Sequence, residues 1–175
     1  MRHNKRLVTY VLFAMYAAMM FTSKVMMEGL PNIHPLTMFV VTLTVVYGIK
    51  ALIPIYIYVF LNGLYSGFNA WWVPYLYIWT VQCLITLLIP RKISDKWAAV
   101  VYPLLCGVFG ITFGLMYAPA QAILFGLSFK QTVLWVMTGN PFDILHCVGD
   151  IVIGLLVLPL TKVVKKLHSS MRIPI

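Results

Sequence analysis

Apolar runs of about membrane-crossing length recur along the whole chain, and nothing else in the sequence constrains its fold so tightly. A hydrocarbon core is about 30 Å thick and a helix rises about 1.5 Å per residue, so roughly 20 apolar residues cross it. Six runs approach or meet that length: Leu7–Met27, Ile33–Gly48, Ala51–Ser66, Trp72–Ile89, Trp97–Tyr117 and Pro141–Leu160. With 62% of its 175 residues hydrophobic and 10% charged, the chain has more apolar surface than a water-facing domain of this size can bury. The expectation is an all-α integral membrane protein of six transmembrane helices in one compact bundle, with residues 1–175 forming a single domain. The basic start "MRHNKR" resembles the head of a signal peptide, but the run after it is too long and lacks a cleavage site, so it reads as a mature helix.

The net charge of +9 is distributed by loop. Threading six helices puts Arg2, Lys5, Arg6, Lys50, Arg91, Lys92, Lys96, Lys162, Lys165, Lys166 and Arg172 on one side, with Lys24 and Lys130 near the other. Both termini are therefore expected to be cytoplasmic, and the basic side to attract anionic membrane lipid. Dispersion among short loops argues against a nucleic-acid partner. Cys83, Cys106 and Cys147 fall inside apolar runs, with neither disulfide nor metal-ligand spacing.

The opposite connections, about 28–34, 67–71 and 118–140, are poor in base and rich in aromatics. They offer Asn32 and His34, then Tyr65, Asn69, Trp71, Trp72 and Tyr75, as residues for binding a small molecule. Trp and Tyr collect at membrane interfaces in any case. Their clustering instead favours a stacking recess for a planar or corrin-like ligand. In "TGNPFDILHCVGD", Asn140 as N-cap, Pro141 in the first turn and Asp143 near the helix start read as a helix cap. His146 and Asp150 share a face with Asp143, and Asp150 stands about 15 Å below that start. A carboxylate at such depth costs about 2.5–3.5 kcal/mol against lipid, so it is expected to face a cavity or a partner, with His146 the nearest candidate.

Small residues four apart permit close helix approach, as in Ala14/Ala18, Gly63/Gly67 and Gly110/Gly114. Together with "PNIHPL", "WWVPYLYIW" and "GNPFDILHCVGDIVIGLLVLPL", the first-helix alanine pair makes the chain resemble the substrate-binding S component of an energy-coupling factor vitamin transporter. The resemblance spans nearly the whole chain. It implies a non-enzymatic, multi-pass subunit of the bacterial cytoplasmic membrane that captures a vitamin outside and topples in the bilayer to deliver it. It further implies that Ala14 and Ala18 dock the transmembrane coupling subunit, and that two partner ATPase subunits use ATP. The chain itself has no phosphate-binding loop and is expected to hold no cofactor or metal. Cobalamin is the first choice of ligand; thiamine, riboflavin, pantothenate or a queuine-type precursor are alternatives. From another class, His34, Asp143, His146 and Asp150 would suit an intramembrane metal-dependent hydrolase, although no H-E-x-x-H signature is present.

Overall fold

The computed structural model describes residues 2–30, 33–90 and 92–170, the side chains of residues 2–5 excepted. Among them the regular structure is helical, with no strand: α1 (Arg2–Met26), α2 (Leu36–Tyr47), α3 (Leu52–Ser66), α4 (Ile78–Leu87), α5 (Asp95–Phe125), α6 (Phe129–Gly154) and α7 (Val157–Ser170). Three stretches have the length and hydropathy of membrane spans: Arg6–Met26, Leu36–Ser66 and Asp95–Phe125. A fourth is made if α6 and α7, bent by 44° where they meet, cross as one.

The second and third runs of the sequence form a single apolar stretch that is interrupted at a 3-10 turn, Gly48–Ala51. Gly48 sits at φ 60°, a backbone angle that only glycine adopts freely, and this breaks the helical path. The two arms have different neighbours: α3 lies along α1, whereas α2 is surrounded by α1, α4, α5, α6 and α7. All of α2 except Phe39 and Val45 is fully buried. A helix apolar on every side belongs in the interior, and because protein surrounds α2 on all sides it need not match the bilayer in length.

α1 is two-faced. Phe13, Tyr16, Ala17 and Met20 enter the core, while Tyr10, Val11, Ala14, Met15, Ala18 and Met19 stay exposed. On the buried side the Tyr47 hydroxyl donates to the Tyr16 hydroxyl at 3.2 Å and also lies 2.6 Å from His168 Nε2, tying α1, α2 and α7 together. α7 points Val157, Thr161, Val164 and His168 inward, and Lys162, Lys165 and Lys166 outward. Lys162 Nζ donates to Asp95 Oδ2 at 2.5 Å, joining the start of α5 to α7. Both side chains are exposed, so this ion pair contributes little stability.

The most extensive helix pairing is between α5 and α6. It runs along a glycine seam on α5: Gly107 faces Ile151, Gly110 faces the backbone of His146 and Cys147, and Gly114 faces Asp143. Gly154 of α6 in turn meets Pro103 of α5. Without side chains at these points the backbones approach closely enough for dispersion contacts along their full common length.

Two expectations are corrected here. Residues 118–140 are not a loop, because α5 continues to Phe125 and α6 begins at Phe129. The connection is a tight turn in which Gly126 adopts the left-handed conformation and Ser128 caps α6. The Ser128 hydroxyl accepts from the Gln131 N–H, and Gln131 Oε1 accepts from the Ser128 N–H. Accordingly Asn140 and Asp143 cap nothing: Pro141 lies inside α6, as Pro103 and Pro119 lie inside α5. In water Asn-Pro is a strong helix start. Alongside α5, in apolar surroundings, ending the helix would strand backbone N–H and C=O groups without water, so the helix continues through the proline.

Candidate functional site

The α5–α6 hairpin and the turn before α4 line an open recess of about 320 Å³. Its walls include Tyr75 from a second 3-10 turn, Val73–Leu76, Phe113 and Tyr117 from α5, and Trp135, Phe142 and Asp143 from α6. Helical spacing explains the walls. Phe113 and Tyr117 are four apart on one face of α5, and Trp135, Phe142 and Asp143 recur on the facing side of α6.

The rings are ordered. Tyr117 and Trp135 lie nearly parallel at 18°, with centroids 6.3 Å apart, whereas Tyr75 stands at 90° to Tyr117. The Tyr117 hydroxyl donates to the carbonyl of Trp71, anchoring the turn before α4 to α5. Asp143 is buried, and one carboxylate oxygen accepts the Gly114 N–H across the helix pair at 3.2 Å. Hydrogen H-bonding capacity remains on a carboxylate so engaged, since each oxygen can accept more than one donor.

Beneath the recess the polarity continues. Phe113 packs against His146 with ring centroids 4.9 Å apart, and His146 packs against His34 at 5.2 Å. His146 Nε2 lies 3.4 Å from Asp150 Oδ2 without hydrogen-bond alignment. Thr37 stands beside the same carboxyl. His34, in the connection ahead of α2, is held neutral because burial lowers its pKa to about 4. Among the described residues no three His, Cys, Asp or Glu side chains are grouped as metal ligands would be.

A second set of polar groups lies deeper, on α3 and α4. Both ends of the Asn62 amide, the Tyr58 hydroxyl, the Trp79 indole N–H and the Gln82 amide nitrogen are buried without a hydrogen-bond partner. Trp79 links this set to the recess, with ring centroids 5.6 Å from Tyr75, 6.5 Å from Phe113 and 6.3 Å from Tyr58. Buried polar groups are nearly always paired, and so many orphans in adjoining helices mark a place where water or a ligand completes them.

The residues singled out from sequence are distributed unevenly around this geometry. Tyr75 and Asp143 line the recess, and His146, with His34 and Asp150 behind it, adjoins its floor. Trp71 packs edge-on against Tyr75 at 5.6 Å. Trp72 turns the other way, its indole N–H donating to the Val59 carbonyl at 2.8 Å. Asn69 is exposed and accepts the Trp71 N–H within its own turn, and Tyr65 is exposed and packs against Phe21. Asn32 lies outside the described residues. Phe113, Tyr117, Tyr58, Asn62, Trp79 and Gln82 were not anticipated as site residues. The i, i+4 aromatics of "FGLMY" beside a glycine were the available signal for the first two. For Trp72 the expected outcome of Trp72→Phe is a fall in thermal stability of about 1 kcal/mol from the lost hydrogen bond, read by melting in detergent.

Comparisons of the chain with known protein families, with curated proteins and with solved structures find no match.

Proposed function

We propose that this chain is the substrate-binding S component of an energy-coupling factor vitamin importer, with six helical passes and both termini cytoplasmic. In this reading the aromatic recess captures the vitamin at the outer side. The chain then topples in the bilayer against a coupling subunit driven by two ATPase partners.

The observation that carries the reading is the bare face of α1. Ala14 and Ala18 are exposed beside Met15 and Met19, and Ala18 and Met19 border an apolar groove of about 370 Å³ that reaches Thr22, Met26 and Phe39. Among the described residues none covers that face. Two alanines one helical turn apart let a partner helix approach to backbone contact, as helix association in lipid requires. The recess that would hold the cargo is built by other helices, α5 and α6, so binding and docking use separate surfaces.

The test is Ala14→Trp, which places a bulky ring on the bare face, and Ala18→Trp, which fills the groove; neither position lines the recess. Both variants are expected to lose co-purification with the coupling subunit and vitamin uptake by cells, while the solitary chain melts and binds ligand as before. Normal uptake by both variants refutes the docking role.

A further inference from the structure

We propose that the recess takes a flat heteroaromatic cation, its ring against Tyr117 and Trp135 and its positive charge against Asp143. This deepens the importer reading and rests on it for the identification of the recess as the cargo site.

Three features of the geometry converge on that class. The near-parallel faces of Tyr117 and Trp135, 18° apart, give a flat ring two π surfaces to lie along, while Tyr75 stands perpendicular and closes the side. An aromatic recess of this kind attracts positive charge through the quadrupoles of its rings, and more strongly once water is excluded. The one carboxylate among the lining residues is that of Asp143, buried and accepting the Gly114 N–H; the other ionisable groups there are the phenols of Tyr75 and Tyr117. The second oxygen of Asp143 is within 2.3 Å of where a Cβ on Gly114 would sit, so the glycine is what leaves room for the carboxylate in this position. An anionic ligand would meet a like charge there.

Size narrows the class further. At about 320 Å³ the recess stands at the low end of small-molecule sites, roughly 300–1,000 Å³. That suits a ligand of one or two rings and is small for a corrin.

The experiment uses the full chain, purified alone in nanodiscs, titrated with thiamine and with 1-methylnicotinamide, methylated on the pyridine nitrogen, as heteroaromatic cations. Pantothenate, an acyclic anion, biotin, which has no aromatic ring, and cyanocobalamin are the comparison probes. Quenching of tryptophan fluorescence and calorimetry report binding. At least one cation is expected to bind saturably and roughly tenfold or more tighter than pantothenate, biotin or cyanocobalamin. Asp143→Asn, which keeps shape and removes charge, is expected to weaken that cation roughly tenfold or more with the melting temperature retained. Trp135→Ala, at the partly exposed rim, is the second variant and is expected to weaken it comparably. Tighter binding of pantothenate, biotin or cyanocobalamin overturns the proposal. So do the failure of both cations to bind and unchanged cation affinity in Asp143→Asn. None of these measurements needs a coupling subunit. Loss of cation binding with Ala14 and Ala18 still required for docking sinks the ligand class alone, whereas cation binding without any docking role for those alanines sinks the importer reading alone.

Discussion

Gly110→Val is expected to destroy the native packing of α5 on α6, lowering stability by about 3 kcal/mol or more, at the upper end of overpacking costs. Even the first carbon of the new side chain would lie 2.8 Å from the Cα and N of Cys147 and 2.8 Å from the carbonyl carbon of His146. These are backbone atoms, so no rotamer change relieves the contact and the two helices must separate. Separation removes dispersion contacts along the pair, and it also dismantles the recess that the pair lines. Gly114→Ala should fail differently. There the added carbon meets Asp143 Oδ2 at 2.3 Å, the end of a side chain that can swing away. The fold should persist while the carboxylate leaves its place, weakening cation binding roughly tenfold. Thermal melts in detergent and binding titrations on both variants check the pair. A Gly110→Val protein that melts at the parent temperature would show that the α5–α6 seam is not close-packed.

The second large effect has the opposite sign. Asn62→Leu should raise the melting temperature of the unliganded chain, by an amount corresponding to about 1–3 kcal/mol. Asn62 is fully buried on α3 and neither end of its amide has a partner, whereas Leu has similar volume and no desolvation cost. Asn62 does not line the recess, so the same substitution weakens ligand binding only where the ligand, or water it orders, completes the amide, roughly tenfold for one lost hydrogen bond. Melting curves with and without saturating ligand decide the matter. If Asn62→Leu is stabilised equally in both, the amide has no part in binding.

Both predictions rest on features that a linear reading reached only in part. The small-residue spacing of Gly110 and Gly114 was visible, as was the shared face of His146 and Asp150, because both follow from 3.6 residues per turn. Which partner each face meets was not visible. In a soluble helix the apolar side points inward and the sequence period reveals it. In a membrane helix lipid and protein interior are both apolar, so the exposed Met15, Leu104 and Val152 look no different in sequence from the buried Met20, Leu36 and Val40. The bare Ala14 and Ala18 and the buried Ala17 differ only by position on the α1 surface.

Asp143 illustrates the same limit from the polar side. The Asn140-Pro141 pair reads as a helix start, and an acid three residues past the cap reads as its electrostatic complement. That inference assumes water at the helix end to solvate the free backbone groups. Here α6 is already formed from Phe129, Pro141 is passed within it, and the acid is left to face Gly114 and the recess.

What the sequence by itself determined is the helical class and the presence of several helices long and apolar enough to span a membrane, not where each helix starts and ends. Long apolar runs with few charges can satisfy their backbone hydrogen bonds in lipid only as helices. What only the tertiary structure decided is the assignment of faces: α2 to the interior, the glycines of α5 to the α6 backbone, Ala14 and Ala18 to the outside, and Asp143 to a ring-walled recess. Local pattern cannot encode those choices when both alternatives for an apolar side chain have nearly the same transfer free energy. They are settled by close packing between particular backbones and by the few polar groups that must avoid lipid.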